Sequence, residues 1–317
     1  MPDKTKRRKA IPRRALPSAT DGKARLIGIG FICLALFCFA LLDTTAKWLT
    51  GQMDTVQVVW ARYASHFILS FLFVNPWTTP GLLRTSRPWL QLGRSALLVC
   101  STFFNFVALR YLQLDQTAAL MFTTPFFIAV LAGPLLGEWI GWRRWAAIMV
   151  GFSGVLLVTR PGAGGIHPAA IFSLISAVCY ALYNITTRML ASYDSTQTTL
   201  FYSSLVGFLA ASVPVAFFWT PPAGPSAIAG MVAIGAFGWI GHWLLIAAHR
   251  QAPAPVLAPF IYFQIVWMAA AGFFVFGDLP SGWTLAGAAV VIACGLYLLN
   301  RERKMRAVQS IKAQTGE

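Results

Sequence analysis

Charge is what this sequence has least of. Charged residues fill 11% of its 317 positions, and only 10 of those positions are Asp or Glu. Soluble domains carry about 25% charged residues, so a water-facing fold is excluded. Cysteine is sparse too. Cys33, Cys38, Cys100, Cys179 and Cys294 each sit in an apolar run and none has a CxxC spacing, which points to packing residues and not to disulfides or a metal site. No P-loop, GxSxG, HExxH or glycine-rich dinucleotide turn occurs, so neither ATP-driven work by this chain nor any cofactor is expected.

What is abundant is apolar sequence, 57% of the chain. Runs bounded by Pro, Gly and charge read as ten spans, at 26–49, 56–74, 88–110, 116–136, 142–159, 167–189, 197–219, 226–248, 254–276 and 282–299. Such runs mean helices, because in lipid a helix satisfies its own backbone, whereas barrel strands would alternate polar and apolar residues. The predicted class is all-α integral membrane, with connections too short to hold a soluble catalytic domain. Leu26 to Leu42 is followed by no small-x-small cleavage site and is expected to stay as a span.

The net charge of +15 sits mainly in the tails. Residues 1–25 hold nine basic side chains and the stretch after Asn300 holds five, which predicts a cytoplasmic arm (1–25) and a cytoplasmic tail (300–317). Such segments attract anionic lipid headgroups, and no nucleic-acid partner is expected. With the N-terminus inside, Arg84, Arg87, Arg94, Arg143, Arg144, Arg188 and Arg250 fall at inner loops and span ends, and only Arg110 and Arg160 at outer ones. Both termini are therefore expected on the cytoplasmic side of the cell's inner membrane.

The chain also repeats itself. The stretch from Cys38 through Asp43 and Lys47 to Leu49 aligns with that from Cys179 through Asn184 and Arg188 to Leu190 at a shift of 141. The same shift brings Trp142 onto Trp283 and Gly154 onto Gly295, and a slip of one brings Gly137-Glu138 onto Gly277-Asp278. One shift across most of each half argues for duplication, with halves at 26–159 and 160–299. Five spans per copy is an odd number, so the second copy would cross the membrane in the opposite sense, an inverted repeat with a site expected between the halves.

These residues carry a resemblance. Two five-span halves, the Asp43…Lys47 pattern ending span one, Arg62 in span two, and Gly-Glu closing span four ahead of Gly151 and Gly154 resemble the EamA-type transporters of the drug/metabolite transporter superfamily. Asp278 departs from the commoner Glu. The resemblance implies ten helices around a central cavity and transport of small metabolites, often amino acids or other amphipathic molecules, often coupled to protons.

Charges inside spans mark the candidate site, since each costs about 2.5–3.5 kcal/mol at a helix centre. Asp43 and Arg62 each lie six residues from an outer span end, about 9 Å deep at 1.5 Å per residue, and Lys47 lies one turn nearer the surface. Two readings stand: an ion pair of Asp43 with Arg62 or Lys47 that holds the first hairpin, or a net positive substrate site with Arg62 as anchor. Asn184 and Arg188 occupy the repeat positions of Asp43 and Lys47. Asn184 with Tyr180 and Tyr183 forms either an inner polar cluster or a plain interhelical contact. His66 and His242 are packing residues or proton carriers. Asn105, Tyr262 and Gln264 are further substrate-contact candidates. Pro125 and Pro259 interrupt the equivalent fourth and ninth spans and are candidate gates. Glu138 and Asp278 are expected to fix helix ends or loop contacts.

The function expected is secondary transport of a small organic solute with an anionic group, by alternating access, driven by solute or proton gradients. A membrane-embedded lipid-modifying enzyme and a passive channel are the alternatives. Expected partners are the small-molecule substrate and membrane lipid, with the chain a monomer or homodimer.

Overall fold

The computed structural model describes residues 22–136, 142–159, 167–190, 193–251, 260, 263–290, 292–294, 296, 297 and 300. Among the described residues every regular element is helical. The first helix, α1 (Gly22–Thr50), runs from ahead of the predicted span to its end. Asp54 caps α2 (Thr55–Phe73), its carboxylate accepting the Val56 N–H at 2.8 Å. Proline opens α3 (Pro88–Tyr111), where its missing N–H leaves no bond unmade. After a Gln113–Gln116 capping box come α4 (Leu114–Met121) and α5 (Thr124–Leu136). The first half ends with α6 (Trp142–Thr159).

The second half comprises α7 (Ala170–Leu190), α8 (Thr196–Val215) and α9 (Pro225–Gln251). It continues with α10, α-helical over Gln264–Ala271 and π-helical over Gly272–Phe276, and α11 (Gly282–Cys294). Among the described residues six helices, in α1, α2, α3, α7, α8 and α9, are long and apolar enough to cross a membrane; α10 and α11 are shorter apolar helices.

The predicted span 116–136 is not one helix. It breaks at Phe122 and Thr123 into α4 and α5. The reason is Pro125, which has no N–H to give to the Met121 carbonyl and is tolerated only in the first turn of a new helix, where it stands. Thr123 closes the break, its hydroxyl donating to the Leu120 carbonyl at 2.7 Å while its carbonyl accepts the Phe126 N–H at 2.9 Å. Pro259, Tyr262 and Glu138, the basic arm through residue 21 and the tail beyond 300 lie outside the described residues.

The halves interlock instead of folding side by side. α1 packs on α9 and α10, α2 on α8 and α9, and α3 on α7 and α8. Under the repeat correspondence, which exchanges α1 with α7, α2 with α8 and α3 with α9, the α1–α9 contact maps onto α7–α3, and α2–α9 onto α8–α3. The main core draws on both halves: Leu49, Val58, Phe106, Leu114, Ile234 and Met268 are buried together. Between apolar helices in lipid, association comes from close packing, which small residues permit. α9 supplies them: a Cβ at Gly235 would run into Ser65 and the His66 backbone, and one at Gly241 into the Phe39 ring.

Candidate functional site

One face of α3 forms a polar spine through the bundle. Arg94, Ser95, Ser101, Thr102 and Asn105 lie along it, and neighbouring helices deliver their charged and aromatic groups to it. From α1, Asp43 receives a hydrogen bond from Asn105 Nδ2 at 3.2 Å. From α2, the Arg62 guanidinium donates to Thr102 Oγ1 at 2.9 Å, and the Tyr63 hydroxyl meets the same oxygen at 3.0 Å. Ser101 and Ser176 exchange hydrogen bonds to each other's carbonyls at 3.1 and 2.7 Å, tying the spine to α7.

Asp43 and Arg62 therefore do not form the hairpin ion pair. They dock on α3 residues three apart, about 4.5 Å along the helix axis. Neither cation lies within 4 Å of the Asp43 carboxylate among the described residues, although the Arg62 charge acts on it. Arg62 is 7% exposed, stacks over the Tyr63 ring at 4.7 Å, and leaves its Nε without a partner. Asn105 Oδ1 is buried and unpartnered as well.

Lys47 is drawn elsewhere. Its ammonium bonds the Asp278 carboxylate at 2.9 Å and the Leu112 carbonyl at 3.0 Å, above the Phe276 ring at 4.8 Å. The physical reason lies at the end of α10. Gly277 takes a left-handed conformation at φ 72°, which returns the chain so that Asp278 N–H bonds the Gly272 carbonyl and the carboxylate faces the end of α1. Asp278 thus both ends its helix and joins the two halves.

Arg94, which the sequence reading places among inner span ends, is 2% exposed. Its Nε donates to Thr187 Oγ1 at 2.6 Å, Nη1 to Ser203 Oγ at 2.7 Å and the Thr199 carbonyl at 3.2 Å, and Nη2 to the Tyr183 hydroxyl at 2.7 Å. Its guanidinium lies 4.4 Å from the centre of the Tyr183 ring. No carboxylate pairs with it among the described residues. The signal was available: Arg94 is six residues into its span, the depth that singles out Arg62.

Tyr183 stacks on Tyr180 at 5.5 Å, and both arginines act on Tyr180. Asn184 does not reach across helices; its amide donates to the Tyr180 carbonyl of its own helix at 2.7 Å, one turn back. Tyr180 and Asn184 remain part-exposed, as do Asp43 and Asn105. His66 and His242, far apart in sequence, come together across the α2–α9 contact with ring centres 5.8 Å apart, and Phe39 packs on His242 at 5.0 Å. Trp267 of α10 packs on Phe37 of α1 at 5.1 Å and leaves its buried indole N–H unpartnered. Gln264 opens α10, half-buried.

The described site combines two buried guanidinium groups and one carboxylate with tyrosines and unpartnered polar atoms, inside a helical bundle of two related halves. Charge buried inside an apolar bundle is kept only where it has partners or a function. The model of the EamA-like transporter family matches residues 26–160 and again 167–301, and the chain belongs to that family. It is a membrane transporter and not an enzyme.

It is similar to an S-adenosylmethionine uptake transporter of Rickettsia felis, 29% identical over 289 residues that cover 89% of this chain and 95% of that protein. A riboflavin transporter of Rhizobium johnstonii is 26% identical over 90% of this chain and 95% of its own length. A pseudopaline exporter of Pseudomonas aeruginosa is 25% identical over 87% and 97%. Among solved structures, one crystal structure superposes with a TM-score of 0.62 at 18% identity, covering 89% of this chain and 98% of the other, a likeness of fold.

Proposed function

We propose that this chain is a secondary carrier of the inner membrane that moves a small organic solute bearing an anionic group by alternating access. In this reading ten spans form two inverted halves of five, and both termini are cytoplasmic. The observation that supports it is the charge on the α3 spine: Arg62 and Arg94 are both buried, and no carboxylate pairs with either among the described residues. A buried cation without a counter-charge is costly, and a carboxylate or phosphate on a solute reaching Arg62 would offset that cost.

Arg62 is the anchor in this reading, because its Nε is free of partners whereas Arg94 is engaged at each of its nitrogens. Tyr180, Tyr183 and Trp267 would flank a ring on the same solute. S-adenosylmethionine and riboflavin, the cargo in the names of two relatives, both carry nitrogen heteroaromatic rings, and the first also carries a carboxylate; a third relative is named as an exporter.

The test is uptake and counterflow in proteoliposomes of a labelled panel that includes these compounds and simple amino acids, with and without a proton gradient. Saturable counterflow is expected for at least one solute that carries a carboxylate or phosphate. Arg62→Ala should abolish it while the protein stays folded. Flux that neither saturates nor shows counterflow would identify a passive channel instead.

A further inference from the structure

A second charged cluster lies away from the α3 spine, where the ends of α1, α3, α4 and α10 meet. Lys47 of α1 bridges to Asp278, which follows α10, and to the Leu112 carbonyl, which follows α3. The ion pair joins residues 231 apart and is the ion pair between the halves found among the described residues. Beside it stands Asp115, in the first turn of α4. Its side chain is 4% exposed and its Oδ2 has no hydrogen-bond partner. The charges of Asp278 and Lys47 both act on it.

Among the described residues, the other titratable groups near this end do not compete for it; Arg160, which the charge pattern sets at the outer side, lies outside them. On α3, Arg110 and Tyr111 are exposed, and Tyr111 stacks on His167 at 5.1 Å, ahead of α7. On α1, Asp43 faces Asn105 instead. The described parts of α7 and α10 bring no further charge to Asp115, and Arg143 and Arg144 stand at the start of α6, by sequence on the opposite side of the bundle.

Two carboxylates share one ammonium here. The cluster is neutral when one carboxylate holds a proton and carries one negative charge when neither does. Ionised and buried, Asp115 would need a donor for Oδ2, and among the described residues the cation whose charge acts on it is Lys47. We propose that Asp115, Lys47 and Asp278 form a proton-binding latch at this end of the bundle: with Asp115 protonated Lys47 stays on Asp278 and the halves are held together, and loss of that proton draws Lys47 to Asp115 and frees Asp278.

The latch sits where motion is cheapest to produce. Asp115 begins the short α4, which ends at the Phe122–Thr123 break, and Asp278 follows the π-helical turn of α10, so each carboxylate is carried on a discontinuous helix. Proton balance is simple: one proton leaves the Asp115 carboxyl for water when the latch opens and returns when it closes. Placed at the outer mouth, this gives a carrier that closes outward on taking up a proton. The proposal rests on the reading of the chain as an alternating-access carrier.

The experiment uses the full-length chain with its five cysteines replaced by alanine and Leu112→Cys added, in proteoliposomes probed with a membrane-impermeant maleimide. Leu112 is buried beneath the latch, 2% exposed. The labelling rate, taken throughout as the ratio to that of an exposed Tyr111→Cys at the same pH so that thiolate formation cancels, should rise about tenfold from roughly pH 5 to roughly pH 8, as one carboxyl ionises. Asp115→Asn should leave labelling slow and flat with pH, Asp115→Glu should restore the rise, and Asp278→Asn should make labelling fast at every pH. A rise that persists in Asp115→Asn, or a flat profile in the unsubstituted latch, overturns the proposal. Counterflow in the same vesicles separates the two readings: labelling that titrates without counterflow keeps the latch and removes the carrier, and counterflow with flat labelling does the reverse.

Discussion

At the scale of single residues, the two buried arginines do different work although the same membrane cost applies to both. Arg94 is spent on the protein, its nitrogens held by Thr187, Ser203, Tyr183 and the Thr199 carbonyl, so it clasps α3 to α7 and α8. Arg94→Gln should lower unfolding stability by about 3 kcal/mol, the loss of charge-assisted bonds to partners left buried, read as a drop in melting temperature in detergent. Arg62 keeps a free Nε and should show the opposite profile. Arg62→Lys is expected to cut the rate of counterflow by about tenfold or more with little change in melting temperature, because an ammonium cannot reproduce bidentate binding of a carboxylate. Equal losses of transport and stability in both variants would show that both arginines are structural.

At the scale of helices, proline and glycine decide what can move and what cannot. Pro125 divides one predicted span into α4 and α5, so the element that carries Asp115 is only eight residues long. Pro125→Ala restores a donor for the Met121 carbonyl and should let the two pieces join; turnover is expected to slow several-fold while the protein still folds, measured as counterflow per carrier. Glycine acts in the other direction on α9. A side chain at Gly235 meets Ser65 and the His66 backbone, atoms that cannot swing away. Gly235→Leu should therefore part α2 from α9, separate the histidine pair and cost about 1–3 kcal/mol, visible as poor yield and a lowered melting temperature.

For the whole molecule, the consequence of duplication is an interlocked bundle in which each half supplies part of the other's core. Connections reinforce this: Asp194, between α7 and α8, accepts from Thr85 at 2.5 Å, from the Ser86 N–H at 3.1 Å and from Gln91 at 3.1 Å, and Gln57 makes a two-way bond with the Thr220 backbone at 2.9 and 2.8 Å. Asp194→Ala removes three of these bonds at the end opposite Lys47 and Asp278. It should raise labelling of a cysteine placed at Thr85 from the proposed cytoplasmic face and leave labelling at Leu112 from the other face unchanged. The same experiment with cysteines in the two tails tests orientation, since both are expected to react only from the cytoplasmic side.

The sequence by itself determined the class of this protein, because membrane-spanning length, helical backbone satisfaction and a repeat shift are local or periodic properties that any reader of the chain can count. It also named Asp43, Arg62 and Asn105, since a charge or amide deep in an apolar run stands out wherever it points. It did not decide partners. Pairing Lys47 with Asp278, Asn105 with Asp43 and His66 with His242 required α1, α3, α9 and α10 to be set against one another, and depth along a helix says nothing about azimuth around it. Asp115 was passed over for the complementary reason: it stands at the end of an apolar run, where a charge usually reaches water, and only the tertiary packing closes protein around it, whereas Arg94 lies as deep in its run as Arg62 and its burial was legible.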